Sequence, residues 1–173
     1  MNPITFEEAI AFTQSLLEKI QNQQITEQET ARDITALVQT ENGARGFFVT
    51  YLTTEMTLAD SPSNSVINAL ASSPEIVGEL LVKNLAMSTA MAMTHTRNND
   101  PAMAQSSEQV SRRSKNLIQR LKLNTIQRKL KQLEESVNTE TGEYQSFLER
   151  WGYDSEQRQA ISSKITSLII NTN

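Results

Sequence analysis

The sequence predicts an all-α fold, an irregular multi-helix bundle of about eight or nine helices with a helical hairpin over roughly residues 101–137. Apolar residues recur at three- and four-residue spacing through nearly every segment, capping signals punctuate the chain, and no stretch alternates in the manner of a strand. The chain has 173 residues, 38 % hydrophobic and 21 % charged, with only 5 Gly and 4 Pro. That is enough apolar mass for a folded core and too few breakers for disorder. The expected organisation is a single all-helical domain over 1–173, in which the helices up to residue 98 form the core and the basic hairpin 101–137 packs on it or projects from it.

The first helix opens at Thr5, where Glu8 completes a capping box, and Phe6, Ala9, Ile10, Leu16, Leu17 and Ile20 form its apolar face. Thr26 with Glu29 opens a second, carrying Ala31, Ile34, Leu37 and Val38, and Asn42-Gly43 reads as its left-handed stop. Residues 44–57 include the β-prone run Phe47-Phe48-Val49-Thr50-Tyr51. Ala44, Phe47, Phe48, Tyr51 and Leu52 nevertheless make a helical stripe, and a lone strand would leave both edges unpaired, so a helix is expected. Ser61-Pro62, Ser73-Pro74 and Asp100-Pro101 each read as a helix start, with proline in the first turn where its missing N–H costs nothing.

From 101 to 121 the positions Met103, Ser107, Val110, Ser114, Leu117 and Leu121 alternate four- and three-residue steps. Asn124 is placed to cap a helix in which Ile126, Leu130, Leu133 and Val137 repeat the pattern. Narrow seams of this kind pair, as a hairpin or with a second copy of the chain. A break over 138–142 precedes a short helix with Tyr144, Phe147, Leu148 and Trp151, stopped by Gly152. Asp154 with Gln157 then caps a last helix carrying Ala160, Ile161, Ile165, Leu168 and Ile169.

The absence of cysteine excludes disulfides, thiol catalysis and cysteine-ligated metals, and the single histidine excludes any site needing two imidazoles from one chain. His95 follows Met87 and Met91 at four-residue spacing, with Met93 and Met103 nearby, a set of soft donors for copper(I). The same spacing describes a buried stripe, and one imidazole falls short of the ligand count, so a core reading is preferred. Glu7-Glu8 and Glu27 with Glu29 lie in opening turns, where they answer the helix dipole; Glu134-Glu135 is the third carboxylate pair. No Glu-x-x-His pair exists, and Gly43-Ala44-Arg45-Gly46 is too short for a phosphate loop. These readings predict a protein that is not an enzyme and uses no cofactor. The start of the chain lacks a basic segment followed by an apolar run, and the most apolar window, 76–93, contains Glu79 and Lys83. A soluble cytoplasmic protein without a membrane partner is expected.

Charge is unevenly placed. Residues 1–111 carry 5 basic and 13 acidic side chains, residues 112–131 carry 8 basic and no acidic ones, and residues 132–173 carry 3 basic and 7 acidic. Half of the basic side chains are therefore Arg112, Arg113, Lys115, Arg120, Lys122, Arg128, Lys129 and Lys131. Such density offers a positive field to phosphates or an acidic protein surface, or forms the solvated face of paired helices. Within it, Leu123-Asn124-Thr125-Ile126-Gln127-Arg128-Lys129-Leu130 resembles the start of a recognition helix in helix-turn-helix DNA-binding proteins. It departs from that pattern at Leu121-Lys122-Leu123, where the motif needs a small turn residue. The preferred reading is a helical interaction or regulatory module that binds another protein or self-associates through 101–137. The alternative is a nucleic-acid-associated protein that binds weakly and non-specifically through 112–131.

Overall fold

Nine α-helices and one 3-10 turn, with no strand among them, make up the ordered elements of the computed structural model, which describes residues 2–170. The helices are α1 (Phe6–Gln21), α2 (Glu27–Val38), α3 (Glu41–Thr53), α4 (Asn64–Ala71), α5 (Pro74–Arg97), α6 (Pro101–Leu121), α7 (Asn124–Thr139), α8 (Gln145–Trp151) and α9 (Ser155–Thr166). The 3-10 turn is Thr57–Ala59. Cα proximity groups the chain into two compact units, residues 1–80 and 81–173.

In the first unit, α3 supplies the centre of the core because its aromatic run is helical. Phe47, Phe48, Tyr51 and Leu52 are all buried, with Phe47 stacked on Tyr51 at 5.1 Å and edge-on to Phe48 at 5.3 Å. α1 packs along α3 through Ala9, Leu16 and Leu17, while α2 packs on α3 and α4 through Ile34, Leu37 and Val38. Each fully buried large apolar side chain contributes about 1.5–3 kcal/mol of hydrophobic stabilisation. Both expected capping boxes form, at Thr5 with Glu8 and at Thr26 with Glu29. Backbone and side-chain hydrogen bonds from Thr5 and Thr26 hold the Glu8 and Glu29 carboxyls below the usual carboxylate range.

Three boundaries in the first unit differ from expectation. Asn42-Gly43 does not stop α2. Thr40 accepts the Gly43 N–H at 3.1 Å and starts α3 at Glu41, so the pair lies in a first turn. Gly43 is required there because a Cβ would collide with the Leu37 carbonyl and stand 2.8 Å from Thr40 Oγ1. α3 ends at Thr53, short of residue 57. The cap of α4 is Ser63 rather than Ser61, with Ser63 Oγ accepting the Val66 N–H at 3.3 Å and donating to Glu27 Oε2 at 2.8 Å.

α5 runs across the boundary between the units and is long and apolar enough by composition to cross a membrane, with mean hydropathy 1.3 in its most apolar window. Half of that window is buried in the protein, as in the core helix of a globular domain. In the second unit, Thr89 of α5 meets Ser111 of α6 at 3.4 Å, and the buried stripe of α7 packs along α9 and against α8. α9 is tied to α5 by the buried Gln157, whose Nε2 donates to the Ala90 carbonyl at 3.0 Å and to Thr94 Oγ1 at 2.9 Å. Arg97 reinforces that junction by pairing with Asp154 and Glu156. Pro101, Gly152 and the Asp154–Gln157 capping box act as the sequence predicts. Asn124 does not cap α7; Leu123 occupies that position, and Asn124 is the first helical residue. Of the α6 seam, Ser114, Leu117 and Leu121 are buried, but Met103 is 48 % exposed.

Candidate interaction surface

The second unit carries 13 basic and 9 acidic side chains against 3 and 11 in the first, so the positive excess belongs to one unit. Its basic run does not form one open face. Arg113 is only 1 % exposed and is the largest fully buried side chain of the described residues. A buried guanidinium needs a partner, and Arg113 is engaged in an interaction of its own. Lys115, Arg120 and Lys129 are half-buried, and Arg120, Arg128 and Lys129 are engaged in interactions of their own. Arg112, Lys122, Arg128 and Lys131 are exposed. Lys122 is also the αL residue, φ 50°, of the two-residue link between α6 and α7, so its backbone conformation sets the direction in which α7 leaves.

Helical spacing brings part of the run together. Asn124, Gln127, Arg128, Lys131, Gln132 and Glu135 line the wall of a groove of about 570 Å³ along α7, with Ile170 at its edge. This face lies opposite Ile126, Leu130, Leu133 and Val137, which the packing of α7 buries. The lining combines three carboxamides, two cations and one carboxylate. A second recess of about 170 Å³ shares Gln127 and Ile170 with this groove and is lined further by Ile118, Gln119, Lys122, Ser167 and Leu168.

Gln127 lines both recesses and makes two long-range hydrogen bonds that its sequence surroundings do not predict. Its Nε2 donates to the Leu168 carbonyl at 3.0 Å, and its Oε1 accepts the Ile170 N–H at 2.9 Å. One carboxamide thus caps the backbone at two points where the chain leaves α9, in a closing turn whose Leu168 and Ile169 N–H groups are bonded to the Ile165 carbonyl. Leu168 is buried beneath this clamp, whereas Ile170 is 57 % exposed. The partners lie 41 and 43 positions apart in sequence, and no local signal joins them.

Elsewhere in this unit, α8 presents Trp151, 48 % exposed, with the Arg150 guanidinium over its ring at 5.8 Å. Phe147 lies edge-on to Tyr144 and Tyr153, with the Lys83 ammonium over its own ring at 5.6 Å. Burial pushes the Tyr153 hydroxyl up to about 12. His95 lies in the last turn of α5, and among the described residues no three His, Cys, Asp or Glu side chains are grouped to hold a metal ion.

One protein-family model, described as "Uncharacterised conserved protein UCP020893", matches residues 5–168. The chain belongs to that family. The match begins at Thr5, the cap of α1, and ends at Leu168, so it reaches into both units and takes in the α7 wall of the groove. No curated protein and no solved structure matches the chain.

Proposed function

We propose that this UCP020893-family protein is a soluble, cytoplasmic, non-enzymatic module that binds a polypeptide through the groove along α7. The observation that carries the reading is the composition of the groove. Carboxamides match the donors and acceptors of a peptide backbone, and Gln127 already makes such a pairing with residues 168–170. Glu135 beside Lys131 and Arg128 suits a partner of mixed charge and repels a polyphosphate. Burial of Arg113 further weakens the polyanion alternative. The partner is another protein or a second copy of this chain.

Heparin and labelled duplex DNA test the reading against its rival. The expected result is elution from heparin below physiological salt and no saturable DNA binding there. Retention well above that salt strength, abolished by Arg112→Glu with Lys131→Glu, and a steep fall of DNA affinity with salt would establish the nucleic-acid reading instead.

A further inference from the structure

We infer that copies of this chain associate by laying the exposed face of α6 along the α7 groove of a second copy, with the two helices parallel. This inference rests on the polypeptide-binding reading above and names the partner. The apolar seams of both helices are buried within the chain, through Leu117 and Leu121 on α6 and Ile126, Leu130 and Leu133 on α7, so neither seam is left to meet another copy. What each helix turns to solvent instead is a polar stripe in alternating four- and three-residue steps. On α6 the stripe is Pro101, Gln105, Glu108 and Arg112, and on α7 it is Asn124, Arg128, Lys131 and Glu135; every one of these residues is exposed. Each stripe borders a recess. Pro101, Gln105 and Glu108 line one of about 700 Å³ whose charged lining, Asp100 and Glu108, is acidic, and the whole α7 stripe lines the groove described above. A helix presented as a ridge beside a recess is the shape that packs against a second such helix.

The order of charges selects the alignment. Because both stripes have the same steps, parallel helices set Pro101 against Asn124, Gln105 against Arg128, Glu108 against Lys131 and Arg112 against Glu135. Both acid–base pairs are complementary in that register, and the carboxamide of Gln105 faces a guanidinium. The antiparallel alignment of the same stripes pairs Glu108 with Arg128 but leaves Arg112 opposite Asn124 and Glu135 opposite Pro101. One chain cannot make the parallel contact by itself. Lys122 and Leu123 alone join α6 to α7, and two residues span at most about 7 Å. A parallel neighbour needs a connection that returns along all 21 residues of α6, roughly 30 Å. The stripe on α7 is therefore matched to the α6 of another copy. The contact is heterologous, so each copy keeps a second face on offer and assemblies larger than a dimer form unless two contacts close on each other.

Sedimentation equilibrium of the full chain tests this. At low salt the average mass is expected to rise above that of the monomer with concentration, and to fall back at high salt as the exposed pairs are screened. Glu108→Lys and Lys131→Glu each set like charges opposite one another, and each is expected to weaken self-association by at least about fivefold, the most that one exposed ion pair contributes. The two variants mixed are expected to associate as the unsubstituted chain does. In a mixed pair the Glu108→Lys chain offers its α6 to the Lys131→Glu groove, and the unaltered Glu108 meets the unaltered Lys131, so both contacts are complementary. A monomer at every concentration overturns the inference, as does self-association that neither variant weakens or that the mixture does not restore. A cross-link from position 132 to a different polypeptide would, in that case, leave the proposed function standing.

Discussion

Gly46 of α3 meets Ala9 of α1 at backbone distance: a methyl group at position 46 would stand 2.5 Å from Ala9 Cβ and 2.9 Å from the Phe6 carbonyl oxygen. On an open helix, glycine to alanine gains up to about 1 kcal/mol of helix propensity. Here the obstructing atoms are a Cβ and a backbone carbonyl, which cannot swing aside, and overpacking costs about 1–3 kcal/mol. Gly46→Ala is therefore expected to lower the midpoint of urea unfolding with its slope unchanged. A raised midpoint would mean that α1 and α3 separate at little cost.

Arg112 and Arg113 are sequence neighbours with opposite surroundings. Arg113→Ala empties a buried volume and strands the groups paired with it, a loss of about 3 kcal/mol or more. Arg112→Ala, at an exposed position, is expected to stay within about 0.5 kcal/mol. Chemical denaturation of the two variants measures the contrast, and equal effects would contradict the burial of Arg113.

Tyr153 sets an alkaline limit. Burial raises its folded-state value to about 12, against about 10 in an unfolded chain. Between those values the unfolded state has released a proton that the folded state keeps, so stability falls as pH rises through that window. Thermal melts across it should show the decline, and Tyr153→Phe should flatten it. An unchanged slope in that variant would assign the decline to another group.

At the acid end the junction of α5 with α9 responds in the opposite sense. The Arg97 guanidinium, and then the Gln157 N–H, hold the Asp154 carboxyl below the usual range. Its contribution is complete above the ordinary aspartate value and is lost as pH falls through the lower folded value. Carboxyl NMR titration of Arg97→Gln is expected to move Asp154 back up toward ordinary behaviour. A titration identical to that of the unsubstituted chain would remove Arg97 as the main cause.

Local chemistry explains which parts of this fold are legible in sequence. The boxes at Thr5, Thr26 and Asp154 and the stop at Gly152 depend on residues three or four apart, and all four form as read. Asn42-Gly43 misleads because two local signals compete there, and Thr40, three residues before Gly43, captures its N–H. Arg113 is illegible for a different reason. On sequence it is one of eight equivalent cations, and only the packing around α6 distinguishes it from Arg112. The Gln127 clamp depends on a fold that brings the end of α9 back across α7, so the central feature of the candidate surface has no signature within a single helix.

A photo-reactive amino acid at position 132, on the groove wall but outside the Gln127 clamp, tests polypeptide recognition most directly. Irradiation in the native cell is expected to yield a discrete cross-linked polypeptide, a partner or a second copy of this chain. The exposed position 14 on α1 serves as the control and should yield no such product. Cross-links to nucleic acid at position 132, or the same products at both positions, would contradict the account.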